Sequence, residues 1–318
     1  SRGLGDVYKR QFFNRGGFMI LNVSGRTDIV AFYTPWFIKR LKEGFVDVRN
    51  PFNESQVSRI YFDDVDMFVF CTKNPRPIIP YLKDIKKPIL FHVTLTGYHK
   101  DIEVNVKDKK EIINDIKEIS KILGKSNVYV RYDPIFLNDK YTVDYHIKAI
   151  KKLAEELEGY IEKIIISFID DYKNVRKNER VLNYREFKEI DYKTLGESIS
   201  KECHKHHIRV HTCFEKRNLV EYGFDEEVCL SHELAYMLTG KKYPNWKARR
   251  EGLCNCVNIV DIGVFNTCFH FCKYCYANFK EEDVLKNIDF HDVNSTMLIG
   301  KLKDCLLYTS DAADDRIS

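Results

Sequence analysis

Near the end of this chain of 318 residues, Cys268, Cys272 and Cys275 follow one another at the spacing C-x3-C-x2-C, with Tyr274 just before the last. Cys254 and Cys256 lie shortly upstream, so half of the ten cysteines crowd into one short stretch. In a reducing compartment such a cluster means metal or redox chemistry rather than disulfides. A structural zinc site takes four ligands, commonly as two C-x2-C pairs. Three thiolates on one loop instead suit a [4Fe–4S] cube, which would keep one iron open to a substrate or cofactor.

A second set is possible. Cys213, Cys229, Cys254 and Cys256 number four, the count that a closed zinc site or a fully ligated second cluster requires. The competing reading is that they are small buried hydrophobes, the usual role of free cysteine. Cys71 and Cys203, inside a predicted strand and helix, are assigned to packing. His204, His206 and His207 fall where a helix ends, so a solvated helix terminus favoured by the dipole is preferred to a ligand set. His270, inside the cysteine loop, is placed well but is not assigned as a ligand. The basic run Lys241, Lys242, Lys247, Arg249 and Arg250, with Tyr243 and Trp246, has the mix of cations and aromatics that contacts nucleic acid. A solvated face is the favoured reading.

The elements that must position these residues are legible as alternating patterns. Apolar, β-branched runs at Phe18–Ser24, Met67–Cys71, Ile89–Leu95, Val128–Tyr132, Lys163–Phe168 and Ile208–Cys213 read as six strands. Helical stripes separate them at Thr34–Lys42, Lys109–Leu123, Val143–Leu157 and Tyr184–Lys205. No glycine-rich phosphate fingerprint follows the first strand, so the expected fold is α/β, a single (β/α)6-type partial TIM barrel with a C-terminal cysteine-rich loop. In such a fold the carboxyl ends of the strands carry the chemistry. Arg26 and Asp28 follow the first strand, Lys73 and Asn74 the second, and Thr94 and Thr96 lie on the third. Arg131 and Asp133 follow the fourth, Ser167 and Asp170 the fifth, and Glu215 the sixth. Any one alone reads as a helix cap or loop ion pair. Together they read as one site, with Arg26, Asp28, Lys73, Arg131, Asp133 and Glu215 as candidate catalytic residues.

Composition limits the rest. With 44% hydrophobic and 31% charged residues the chain can bury a full core, which excludes disorder, collagen and a small disulfide scaffold. The net charge of +4 is spread along the sequence and decides nothing about nucleic acid. No apolar run approaches the ~20 residues of a membrane span and no secretory signal opens the chain, so a cytoplasmic protein without a membrane partner is expected. Ser1–Gln11 and Cys305–Ser318 back-translate to the two ends of a transposase sequencing adapter, and Phe12–Phe18 reads as untranslated leader. The expected organisation is therefore artefact and leader over 1–18, barrel over 19–240, cysteine-rich segment over 241–304, and artefact over 305–318.

The motif Cys268-x3-Cys272-x2-Cys275 with Tyr274 resembles the cluster motif of radical S-adenosylmethionine enzymes. The resemblance implies a [4Fe–4S] cluster whose free iron binds S-adenosylmethionine. One electron, from a donor such as flavodoxin or ferredoxin, then cleaves it to methionine and a 5′-deoxyadenosyl radical. Tyr274, Lys73 and Arg131 are the expected cofactor contacts, Arg131 first because guanidinium binds carboxylate bidentately. In most of that superfamily the cysteines follow the first strand, whereas here they come last. That placement, with SGRTDIVAFYTPWF, FCTKNP, TLTGY, RYDP, SFIDDY and DIGVFNTCFHFCKYCYAN, resembles the bacterial family called domain of unknown function 1848, over Met19 to about Asp304. The substrate is not legible. The alternative is a non-catalytic zinc or iron–sulfur protein that contacts nucleic acid or protein. A metal-dependent TIM-barrel hydrolase is weaker, because it leaves the cysteine spacing unexplained.

Overall fold

Strand and helix segments alternate along the computed structural model, which describes residues 18–213, 215, 217–244, 255–302 and 307–308. In chain order the strands are β1 (Ile20–Asn22), β2 (Phe45–Asn50), β3 (Asn53–Tyr61), β4 (Met67–Thr72), β5 (Ile89–Thr94), β6 (Val128–Ile135), β7 (Lys163–Phe168), β8 (Arg209–Thr212), β9 (Val260–Asp261) and β10 (Leu307–Tyr308). The helices are α1 (Ile29–Phe32), α2 (Thr34–Glu43), α3 (Lys109–Leu123), α4 (Val143–Leu157), α5 (Lys173–Lys177), α6 (Glu179–Leu182), α7 (Glu189–Lys205), α8 (His232–Thr239) and α9 (Glu281–Ile288).

Seven strands form one sheet in the order β8-β7-β6-β5-β4-β1-β9, and every neighbouring pair is parallel. All six predicted strands are in it. From β1 to β8 they follow the chain without a reversal, so the sheet has no switch point of the doubly wound kind. Among the described residues no pairing joins β8 to β9, and the sheet is open. Two features depart from the expected six βα units. The two-residue β9 adds a seventh strand beside β1. A hairpin of β2 and β3, extended by β10, makes a separate three-stranded sheet.

The register shows why the central strands read as continuous apolar runs rather than alternating ones. Phe70, Phe91 and Val128 stand side by side across β4, β5 and β6 and share a core with Ile116 of α3, Ile150 of α4 and Leu195 of α7. The intervening positions Val69, Leu90, Tyr129 and Ile165 face the other way. They pack against Cys229, Leu230, Leu234, Ala235, Tyr243 and Val257. A parallel sheet covered on both faces needs apolar side chains at both phases of the pleat.

Helices α3 and α4 span the expected residues. Asp108 caps α3 by accepting from the Lys110 amide at 2.8 Å, and Ile112, Ile116 and Ile119 form its buried stripe. α7 begins at Glu189 rather than Tyr184. Arg185 is held in a β-bridge to Leu137, and Asp191 Oδ2 accepts the Lys188 amide at 2.8 Å, which fixes Lys188 as the residue that caps the helix. Among the described residues no helix is long and apolar enough to cross a membrane. The ends read as adapter lie outside the described residues, apart from the two residues of β10.

Because both faces are covered, neighbouring residues on β5 should be equally intolerant of truncation. Leu90→Ala and Phe91→Ala remove fully buried side chains from opposite faces and should each cost about 2–5 kcal/mol. Urea denaturation checks this; a near-neutral result for Leu90→Ala would mean that the face packed by Cys229, Leu230, Leu234, Ala235, Tyr243 and Val257 is solvated.

Candidate active site at the carboxyl ends of the strands

A cavity of about 390 Å³ opens at the carboxyl ends of the parallel strands, a volume within the range of small-molecule sites. Of the predicted residues, Asp28, Lys73, Arg131, Asp133, Cys213, Glu215, Cys268, Cys272, Tyr274 and Cys275 line it, as do Thr94, Ser167 and Asp170. Parallel strands put all their carboxyl ends at one edge, so residues scattered over some 250 positions meet there.

The cysteine loop is held by polar side chains from distant elements. Tyr33 OH donates to the Thr267 carbonyl at 2.6 Å, and Asn278 Nδ2 donates to the Cys268 carbonyl at 2.7 Å. Asn178, just after α5, and Asn174, on it, donate to the carbonyls of Lys273 and Tyr276, each at 2.7 Å. Cys272 forms a β-bridge with Glu103, and the Lys273 amide reaches the Ile102 carbonyl at 2.9 Å. Phe271, between the first two cysteines, has a φ of 50°. That left-handed conformation is uncommon for a bulky residue and persists where the surroundings over-determine it.

Two buried carboxylates organise the walls. Asp28 Oδ1 accepts from the Ala31 amide at 2.9 Å, while Oδ2 accepts from the Lys73 amide at 2.8 Å and His270 Nε2 at 2.9 Å. Glu103 Oε1 accepts from Lys73 Nζ at 2.7 Å, Thr96 Oγ1 at 2.9 Å and Tyr274 OH, and Oε2 pairs with Lys109. Burial opposes the charge on Glu103, but Lys73 and Lys109 outweigh it and hold the carboxyl at about 2. Burial likewise opposes the Lys73 ammonium, and Glu103 more than offsets it, raising its pKa. Glu103 was not among the predicted residues. A single glutamate inside DIEVNV carries no motif; its only signal is a charge flanked by apolar residues.

The three thiols are all pushed up, first by burial. Mutual repulsion among the three adds to this at Cys268, where Asp28 contributes too, while Lys73 opposes it at Cys272, which rises to about 12. Backbone amides already point at two sulfurs: His270 at Cys268, and Ala277 and Asn278 at Cys275, the Ala277 bond being 3.3 Å. Amide-to-sulfur bonds are among the protein's means of stabilising thiolate-bound clusters. Among the described residues no three His, Cys, Asp or Glu side chains close around a single ion position. A cube does not require it, since each thiolate binds a different iron. The donor set, its amides and the adjoining cavity therefore fit a three-thiolate cluster.

On the side of β6 to β8, Arg131 is committed to Asp133, with Nε and Nη2 at 2.8 and 2.6 Å from Oδ2. Its Nη1 lies 3.5 Å from Cys229 Sγ. Glu215 Oε1 accepts from the Phe168 amide at 2.8 Å. Burial, with smaller contributions from Asp170, Cys213 and Asp133, outweighs that bond and raises Glu215 to about 8, so at neutral pH it can donate as a carboxylic acid. Of the second cysteine set, Cys213, Cys229 and Cys256 come together, and Cys254 lies outside the described residues.

Some predicted residues have other roles. Arg26 does not line the cavity. Its Nε donates to the Gly263 carbonyl at 2.9 Å and its Nη2 to the Asp261 carbonyl at 2.8 Å, so it clamps β9 to the first βα turn. Gly263 permits this approach, because a Cβ there would lie 2.9 Å from the Arg26 amide. Cys203 is core, as expected, and Cys71 both packs on the second core and lines the cavity. His204 and His206 at the end of α7 pair with Asp225 and Glu158, each at 3.0 Å. Lys241 and Tyr243 OH meet Asp66, and Trp246, Lys247, Arg249 and Arg250 lie outside the described residues.

An open parallel α/β sheet with a thiol-lined cavity at its carboxyl edge defines the class. The chain belongs to the family described as domain of unknown function (DUF1848), which it matches over residues 20–277. A comparison with curated proteins returned no match.

Glu103→Gln would leave Lys73 and Lys109 without their buried counter-charge and should cost about 3–5 kcal/mol. Because the folded carboxyl sits at about 2, below its ordinary ~4.3, this stabilisation is complete above the unfolded value and is lost as pH falls towards 2. Denaturation curves of both forms from pH 7 to pH 3 should therefore converge at the acid end; a constant gap would refute the charge assignment.

Proposed function

We propose that the protein is a radical S-adenosylmethionine enzyme on an open (β/α)6-type partial barrel. The observation that carries the reading is the placement of Cys268, Cys272 and Cys275 together on the wall of a cavity at the carboxyl ends of the strands. When bound, a [4Fe–4S] cluster would supply the electron that cleaves the sulfonium C–S bond of S-adenosylmethionine, drawn from a flavodoxin- or ferredoxin-class donor.

The chain's own residues have definable parts in this. The three cysteines would hold three irons, and the amides of His270, Ala277 and Asn278 would donate to their sulfurs. Asp28 orients His270 through Nε2, which leaves Nδ1 on the cavity wall without a hydrogen-bond partner among the described residues. Tyr274 is fixed by Glu103 and Lys73, so it shapes the wall beside Cys275. Asn22, Thr94 and Ser167 offer uncharged polar groups to the cofactor, and Glu215 a proton to a substrate. Phe168, Phe271 and Ala277 make part of the lining apolar, which favours exclusion of water from a reactive site.

Anaerobic reconstitution with iron and sulfide should give an electron paramagnetic resonance signal after reduction by dithionite. Added S-adenosylmethionine should yield 5′-deoxyadenosine, and Cys268→Ala should reduce that product to the level of dithionite alone. Wild-type protein that forms no cluster, or forms one and yields no 5′-deoxyadenosine, would overturn the proposal.

A further inference from the structure

We infer that His211, Cys213, Cys229 and Cys256 form a second, mononuclear site for a thiophilic divalent ion of the zinc class, on the face of the sheet opposite α3, α4 and α7. The inference does not depend on the function proposed for the three-cysteine loop.

Side chains two apart on a strand share a face. His211 on β8 is register-paired with Ile165, which belongs to the core that holds Cys229, Leu230 and Val257, and Cys213, just after β8, packs against the same core while also lining the cavity. Cys229 is buried in the same core, with Cys213 and Cys256 against it. Cys213 bonds Cys229 side chain to side chain, and Cys229 bonds Cys256 in the same way. None of the three is in a disulfide. Three thiols from segments 16 and 27 residues apart in the chain thus meet at one place.

A second observation points to a ligand there. His211 is completely buried, yet neither of its ring nitrogens has a hydrogen-bond partner among the described residues. A buried imidazole left unsatisfied at both nitrogens bears its full desolvation cost, and a bound ion is one of the few things that relieve it. His92, on the same face, bonds the Cys229 backbone and so steadies the middle cysteine.

The charges agree. Three thiolates and a neutral imidazole around a divalent ion leave one negative charge. Arg131 stands over it, with Nη1 3.5 Å from Cys229 Sγ and a second contact to Cys213. Cys3His is an established zinc ligand set, and zinc favours sulfurs gathered about one point over sulfurs spread around a cube. Without the ion the thiols keep their protons and hydrogen-bond one another. Binding expels those protons and requires the side chains to turn inward, because no three of them yet enclose an ion position. The site would fasten the chain after β8 back onto β8, beneath the Arg131–Asp133 pair.

The test uses the full chain carrying Cys268→Ala, Cys272→Ala and Cys275→Ala, which removes the other thiol group, loaded anaerobically with cobalt(II) alone. The expected result is a thiolate-to-cobalt charge-transfer band with tetrahedral ligand-field bands at one cobalt per chain. Adding Cys229→Ser should abolish the charge-transfer band, and adding His211→Gln should shift the ligand-field bands while circular dichroism stays native. Should Cys229→Ser fail to fold, Cys213→Ser reads the same loss. The inference is overturned if the triple variant shows no thiolate–cobalt band, or keeps one unchanged after both serine substitutions. Isolation of the triple variant with a Cys213–Cys229 disulfide, or with iron and acid-labile sulfide, would overturn it as well. Since none of these forms can be expected to make 5′-deoxyadenosine, failure here stays distinct from failure of the radical mechanism.

Discussion

The Asp28 carboxylate ties together parts of the molecule that are far apart in the chain. It caps the short α1, receives the Lys73 amide at the exit of β4, and binds His270 in the cysteine loop, 242 residues later. A carboxylate only accepts, so His270 Nε2 is the donor in this contact, as the two backbone amides are in theirs. The cysteine loop is thereby registered against the first βα turn. Glu103 repeats the arrangement from the β5 side, joining Lys73 and Tyr274 through its side chain and Cys272 through its backbone. Lys73 belongs to both groups, its amide to one and its ammonium to the other. Buried networks of this kind are costly when partly satisfied and rigid when complete.

That dependence explains which parts of the site were legible in the sequence. The six main strands and helices α3 and α4 declare themselves because periodicity is a local property of the chain. The strand exits follow from them by topology alone, and five of the six predicted catalytic residues line the cavity. Arg26 was misread because its partner β9 is only two residues long and leaves no periodic trace. The β2–β3 hairpin was passed over for a related reason: Val46 and Val48 alternate with Asp47 and Arg49, but Asn50-Pro51-Phe52-Asn53 is a weaker turn signal than Asn-Gly or Asp-Gly. Glu103 was invisible because two of the partners that make it important, Lys73 and Tyr274, lie 30 and 171 residues away in the chain.

Both thiol groups rest on one sheet, and Arg131 marks the boundary between them. Along β6 the side chains of Tyr129, Arg131 and Asp133 share one face, so the strand passes from the packed core to the cavity within five residues. Tyr129 lies in the core, Asp133 on the cavity wall, and Arg131 between, touching Cys229 on one side and Asp133 on the other. A guanidinium can serve both because its five donors lie in a rigid plane. A lysine there could supply the charge but not two fixed directions.

The same pairing limits how the cavity can recognise a ligand. Among the described residues its walls carry the cations Lys73 and Arg131, and each already has a carboxylate within 2.7 Å. An anionic group would have to displace Asp133 from Arg131 or Glu103 from Lys73, and either exchange strands a buried carboxylate. A ligand carboxylate therefore gains less from these cations than their number suggests. What stays open to it are neutral donors: the hydroxyls of Thr94 and Ser167, the amide of Asn22, and Glu215 in its protonated form. Such groups discriminate by position rather than by charge, because a misplaced hydrogen bond leaves a desolvated group unpaired. Where these groups point is set by the spacing of the strand exits, which the Asp28 and Glu103 networks fix.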